Sequence, residues 1–143
     1  AAVLIVAGGN LAEIMAKSDQ GIVEKFREAR MKAENLESVE DLENKIKETF
    51  LFDPLVFAPR RAPEDIYIVV AEDDLSVPTK NQLELWESFG RPKGLSIPGK
   101  HFSVIFKKIN WNFIRIKTLV KERYYILLFA VFFSLYSRKC SIL

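Results

Sequence analysis

The chain has 143 residues, enough for one domain with a core of its own. Its 49% hydrophobic and 28% charged content is ordinary for a globular protein, and a formal net charge of +2, with Lys and Arg interleaved among Asp and Glu, excludes a nucleic-acid stripe and argues against a strongly charged partner. The single cysteine, Cys140, excludes an intrachain disulfide and a cysteine-based zinc site, and suits a reducing, cytoplasmic setting.

The first residues, AAV, lead straight into an apolar run with neither Met nor a secretory signal pattern, so the chain is expected to begin inside a domain. Residues 2–7 (AVLIVA) read as a buried parallel strand that ends at Gly8-Gly9-Asn10, a turn into a short helix over 11–17. The glycines also admit a phosphate-binding reading, but neither G-x-G-x-x-G nor G-x-x-x-x-G-K-[ST] is present. Residues 18–49 are helical and highly charged. One helix is expected over about 21–33, with Ile22, Phe26, Ala29 and Ala33 along one side. A second follows Ser38, an N-cap with Asp41 three residues on, and Val39, Leu42, Ile46 and Phe50 recur at helical spacing. Asp53-Pro54 initiates a turn, and Arg60 and Arg61 read as solvated loop charges.

Residues 66–71 (IYIVVA) form a second continuous apolar run, rich in β-branched residues, as a strand covered on both faces does. It stops at Glu72, Asp73 and Asp74. Carboxylates thus stand at the C-terminal end of the strand, where open α/β sheets bind ligands. Pro78 opens a helix over about 79–89, with Leu83, Leu85, Trp86 and Phe89 on its buried side, and Gly90 and Pro92 end it. Residues 95–97 are a candidate third strand, and Pro98-Gly99-Lys100 turns the chain to His101, the only histidine. A long helix over about 102–122 follows, with Phe102, Ile105, Ile109, Phe113, Ile116 and Val120 as its packing stripe and Trp111 as a packing residue.

Asp74 in DLSVP, LWESFGRP after it and His101 in GKH together resemble the C-terminal half of an α/β-hydrolase, of the esterase and dienelactone-hydrolase type, over about residues 3–120. In that family an acid follows one strand and the catalytic histidine the next, after a serine earlier in the chain. The resemblance implies a partial α/β-hydrolase fold of about three parallel strands with flanking helices in residues 1–123, and a helical lid-like insertion at 18–50 that shapes the acyl or alcohol pocket. Ordinary crossover helices are the other reading of 18–50. It also implies that Asp74 orients and charges the imidazole of His101, which acts as general base and then general acid. Asp73 is the rival acid; the D-x-x-V-P spacing favours Asp74. The substrate of an intact parent would be a small ester-like molecule, and no cofactor or metal is called for.

The nucleophile is missing from the pattern. No G-x-S-x-G occurs, and Ser18, Ser76 and Ser103 match no strand-turn-helix elbow. The chain is therefore expected to be a serine-hydrolase fragment that keeps the acid and the histidine and is inactive alone. With only about three strands, the first is expected to be an unpaired apolar edge through which the chain self-associates. The alternative is a non-catalytic interaction or membrane-associated module. It would use the remnant sheet and residues 124–137 (YYILLFAVFFSLYS), an uncharged apolar run inside a tail, 124–143, that has no counterpart in the family. At ~1.5 Å per residue that run reaches about 21 Å, short of a ~30 Å hydrocarbon core. It reads as a segment docking on a sheet or partner, a membrane anchor, or a non-native tail from a gene disruption, the last being preferred.

Overall fold

The computed structural model of the chain describes residues 2–50, 52–60, 62–106 and 125–127. Its centre is a parallel sheet of three main strands, β1 (Ala2–Ile5), β2 (Ile66–Ala71) and β3 (Lys93–Ile97), joined by a short fourth, β4 (Tyr125–Leu127), in the order β3-β2-β1-β4. Ala2 to Ile5 pair in register with Ile66 to Val69, and Tyr67 to Ala71 with Lys93 to Ile97. All six residues of β2 are buried. Strand alternation divides them between two faces. Tyr67, Val69 and Ala71 pack with Val3, Ile5, Val6 and Val104, while Ile66, Ile68 and Val70 pack with Leu4, Ala7, Ala58 and Leu85. Each face is covered, which is why the strand reads as an unbroken apolar run rather than an alternating one.

The covering helices are α4 (Pro54–Phe57) and α5 (Thr79–Ser88) on the second face and α6 (His101–Phe106) on the first. Between β1 and β2 the chain forms α1 (Leu11–Lys17), α2 (Gly21–Glu34) and α3 (Val39–Thr49). These three build a satellite core of their own, in which Ala12, Leu42 and Ile46 are buried and Met15, Phe26, Met31 and Leu36 pack against them. The expected capping box starts α3: Ser38 Oγ accepts from the Asp41 N–H, and Asp41 Oδ2 accepts from the Ser38 N–H.

Three expectations are corrected. Strand β1 is not an edge, because Ala2 to Leu4 pair with Tyr125 to Leu127; an open parallel ladder accepts an apolar segment that can supply the missing hydrogen bonds. The docking reading of residues 124–137 thus holds for these three, and the rest of that tail lies outside the described residues. Helix α2 buries Val23 and partly buries Phe26 and Met31, while Ile22, Ala29 and Ala33 are exposed. Its buried side is rotated because Arg27 lies on it: Nη1 donates to the carbonyls of Ala16 and Ser18, at the C-terminal end of α1, where a cation is favoured. In α5, Leu83 is 45% exposed, and Asn81 and Gln82 take the buried side with Leu85. The long helix starts at His101 and is described to Phe106; its remainder, Trp111 included, lies outside the described residues. Among the described residues no helix is long and apolar enough to cross a membrane.

One local feature shapes the end of the sheet that carries the site, and another fixes the approach of β2 and β3. Val6, only 2% exposed, takes a left-handed φ of +47°, a costly conformation for a β-branched residue. It still donates its N–H to the Val69 carbonyl at 2.9 Å, so the bend is held by the sheet itself. On β3, a Cβ at Gly94 would stand 2.5 Å from the Ile68 carbonyl oxygen, so only glycine lets the two strands approach there.

Candidate active site

Two loops leave the C-terminal ends of the neighbouring strands β2 and β3, and backbone bonds tie them together. The Glu72 N–H donates to the Ile97 carbonyl at 3.1 Å and the Asp73 N–H to the Gly99 carbonyl at 3.2 Å. Thr79 Oγ1 donates to the carbonyls of Ala71 and Glu72 and fixes the start of α5 beneath the acidic loop. This stitching brings Asp74 and His101, 27 residues apart, into contact: Asp74 Oδ2 lies 2.8 Å from His101 Nδ1. Both are buried, Asp74 at 2% exposure and His101 at 6%. Asp73 and Glu72 are exposed, and Glu72 is engaged by the Ser96 hydroxyl at 2.8 Å. The spacing that favoured Asp74 over Asp73 thus picks the acid that touches the ring.

The Asp74 carboxylate has four donors. Oδ1 accepts from the Ser76 N–H at 2.9 Å and the Val77 N–H at 3.0 Å, closing the loop on itself as an Asx turn. Oδ2 accepts from Gln82 Nε2 at 2.9 Å as well as from the ring. A carboxylate so surrounded accepts, so Nδ1 is the donor in its contact with Oδ2 and Nε2 is the ring nitrogen turned away from the acid. Among the described residues Nε2 has no hydrogen-bond partner. The ring is held at the first residue of α6, where Val104 is fully buried and donates its N–H to the Lys100 carbonyl, and it meets the Phe102 ring edge to face at 5.2 Å.

His101 lines a cavity of about 730 Å³. Its walls come from the turn after β1, the helices α1 and α2, the segment 50–58 and the acidic loop, and they are overwhelmingly apolar: Met15, Val23, Phe50, Phe57 and Val77 are representative. Phe52 and Phe57 stack with ring centroids 6.3 Å apart at its margin. The arrangement can accept a proton at Nε2, balance the resulting imidazolium with Asp74, and hold a hydrocarbon group beside it.

None of the serines weighed in the sequence bonds to the ring. The Ser76 hydroxyl donates to Asp19 Oδ1, the Ser103 hydroxyl to the Lys100 carbonyl, and Ser18 Oγ, buried at the cavity wall, accepts from the Gln20 N–H. The phosphate reading of Gly8-Gly9 fails on an occupied position. Asp53 Oδ1 accepts from the Asn10 N–H and Oδ2 from the Leu11 N–H at 2.7 Å, so a carboxylate of the chain already fills the start of α1. Asp53 and Gln82 are the polar residues that sequence reasoning missed. The Asp53-Pro54 pair signalled a turn but not its partner 42 residues back. Gln82 stands four residues before Trp86 on the side of α5 that carries Leu85, and that placement was the available signal.

A second polar cluster lies away from the ring. Glu13 receives Asn81 Nδ2, Asn10 Nδ2 and Lys80 Nζ, and Glu43 receives Lys17 Nζ at 2.9 Å and Lys47 Nζ at 2.6 Å. Burial pushes the Glu13 carboxyl up, but the bonds from Asn81 and Lys80 and the charges of Lys80 and Lys17 outweigh it and hold the group below its usual range. Glu43 is also held low, chiefly by the Lys47 bond, against burial and with help from Lys17. Lys17 is raised in turn, chiefly by its bond to Glu43.

No family model matches the chain, and no curated protein or solved structure matches it either.

Proposed function

We propose that Asp74 and His101 are the acid and the histidine of a serine-hydrolase site on a partial α/β-hydrolase-like sheet, and that the nucleophile belongs to polypeptide outside these 143 residues. The observation that carries this reading is the buried 2.8 Å contact between Asp74 Oδ2 and His101 Nδ1, with Nε2 unpartnered among the described residues and the ring lining an apolar cavity. In the reaction Nε2 removes the proton of the attacking hydroxyl as it bonds to the ester carbonyl. Asp74 holds the ring and balances its charge, and the ring then returns the proton to the leaving alcohol. The cavity receives the acyl or alcohol part of a small ester, and no cofactor enters. Phe52 and Phe102, 70% and 50% exposed, are apolar surface that the nucleophile-bearing part would cover. The sheet would then be larger than the strands described here, and α2 and α3 would serve as the lid. The chain belongs in the cytoplasm on this reading.

The chain alone keeps a base and an acid without a nucleophile or an oxyanion hole, and the residual catalysis of triad-deleted enzymes, about 10³ to 10⁴ over water, depends on the latter. Hydrolysis of p-nitrophenyl butyrate by the purified chain is therefore expected to match that of the His101→Ala variant and of buffer. A rate that disappears in His101→Ala would show a nucleophile within the chain and overturn the proposal. Polypeptide that restores turnover on mixing is expected to carry a G-x-S-x-G.

A further inference from the structure

We propose that Gln82 is the positioning residue of the Asp74–His101 pair: its amide fixes which carboxylate oxygen faces the imidazole and holds it as the acceptor of the ring's Nδ1–H. The inference rests on the reading of the pair as a catalytic acid and base.

Gln82 is fully buried on the first turn of α5. The orientation of its amide is dictated by its neighbours. Oε1 lies 3.0 Å from the Ala71 N–H, which can only donate, and Nε2 lies 2.7 Å from the Val77 carbonyl, which can only accept. A flipped amide would set donor against donor and acceptor against acceptor. Nε2 has two hydrogens. One is spent on Val77, so the other is fixed in direction and meets Asp74 Oδ2 at 2.9 Å. A donor aimed at Oδ2 strengthens the oxygen as an acceptor and disfavours a proton on it. Were Oδ2 protonated, it would donate to Nδ1 and force the proton of the ring onto Nε2, the nitrogen that must be bare to act as a base.

The two backbone donors on Oδ1 belong to the loop turn and restrain one end of the carboxylate only. Rotation about the Cβ–Cγ bond is set by what holds Oδ2. Gln82 does so from a rigid place, since the same amide caps the end of β2 at Ala71 and braces the loop at Val77. One side chain thus ties strand, loop, helix and acid together. Its side chain is fully buried, and its bonds to Ala71 and Asp74 are buried as well.

His101 is the only histidine, so its ring nitrogens can be followed without ambiguity in long-range proton–nitrogen NMR spectra of the full chain. The wild type is expected to show one tautomer at neutral and alkaline pH, Nδ1–H with Nε2 bare, and a downfield Nδ1 proton. In Gln82→Met, which keeps the length and removes the amide, that proton is expected to be lost and the ring to become a mixture of tautomers. A merely structural role would lower the melting temperature and leave the tautomer alone. A folded Gln82→Met variant that keeps the single Nδ1–H pattern overturns the inference. If Gln82→Met does not fold, the wild type decides: the Gln82 amide protons must exchange slowly and shift with the same midpoint as His101. Fast exchange, or no shift through that midpoint, overturns it equally. A wild type without the Nδ1–H tautomer would sink the catalytic reading of the pair instead, so the two failures are told apart.

Discussion

Two of the carboxylate clusters that join distant segments of the chain differ in kind. Around Asp74 the donors are two backbone N–H groups, one neutral amide and one imidazole, all turned inward and nearly sealed from water. Around Glu13 and Glu43 three of the donors are lysines, whose side chains are 40–64% exposed. The first arrangement trades generic attraction for direction: each donor sits where only one orientation of the acid satisfies it. The second relies on charge, which acts at many orientations and is screened by salt. A site needs the former, and the docking of the helices α1 to α3 needs no more than the latter plus its small apolar core.

The largest test of this contrast is Asp74→Ala. It leaves four donors without an acceptor, two of them in buried bonds, and a loss of about 3–5 kcal/mol in unfolding free energy is expected from urea denaturation. A loss under about 1 kcal/mol would mean that water reaches the loop freely. Next comes Leu42→Ala, in the satellite core, at about 2–5 kcal/mol. Hydrogen exchange should then quicken in α1 to α3 first, while β2 stays protected. Asp53→Ala removes the acceptor for the start of α1 and for the Leu55 N–H in α4, for about 1–2 kcal/mol. Smallest is Glu43→Gln, about 1 kcal/mol or less at low ionic strength and near zero in 1 M salt. Salt should leave the Asp74→Ala loss unchanged.

The open cluster also has a pH signature. Glu13 and Glu43 titrate below their ordinary 4.5 in the folded chain, so the unfolded chain binds protons first as pH falls. Their contribution is whole above about pH 4.5 and is lost as pH drops through the folded values. Stability curves from pH 7 to pH 3 for the wild type and Glu43→Gln should therefore converge at the acid end. Curves that stay parallel would remove the cluster as their cause.

What could be read from the sequence follows the same division. Strand β2, the acid after it, the helix α5 and the histidine after β3 were legible because each is a local signal: an unbroken apolar run, a D-x-x-V-P loop, a Pro start and a Gly stop. The choice of Asp74 over Asp73 was legible by spacing. Gln82 was not, since a polar residue on the core side is invisible to apolar periodicity, which promoted Leu83 instead. Helix α2 was turned wrongly for a related reason: Arg27 carries its stem inward to reach carbonyls of another segment. The partner of Asp53 was illegible because it lies far along the chain, and docking on the sheet was one of three readings of 124–137 because a three-residue pairing such as Ala2 to Leu4 with Tyr125 to Leu127 has no pattern of its own. The oxygen-by-oxygen division of labour on Asp74 exists only once the two loops are stitched together.

Val6 makes two demands that no one amino acid meets. Its backbone angle suits glycine or asparagine, at a saving of about 1–2 kcal/mol, while its pocket rewards a branched hydrocarbon with about 1.5–3 kcal/mol. Hydrocarbon wins narrowly, so the bend after β1 is a loaded spring kept closed by packing together with the Val6 N–H bond to Val69. Softening agents that loosen apolar contacts should release this bend before they unpair the strands, and the floor of the cavity would give way while the buried Asp74–His101 contact still stood.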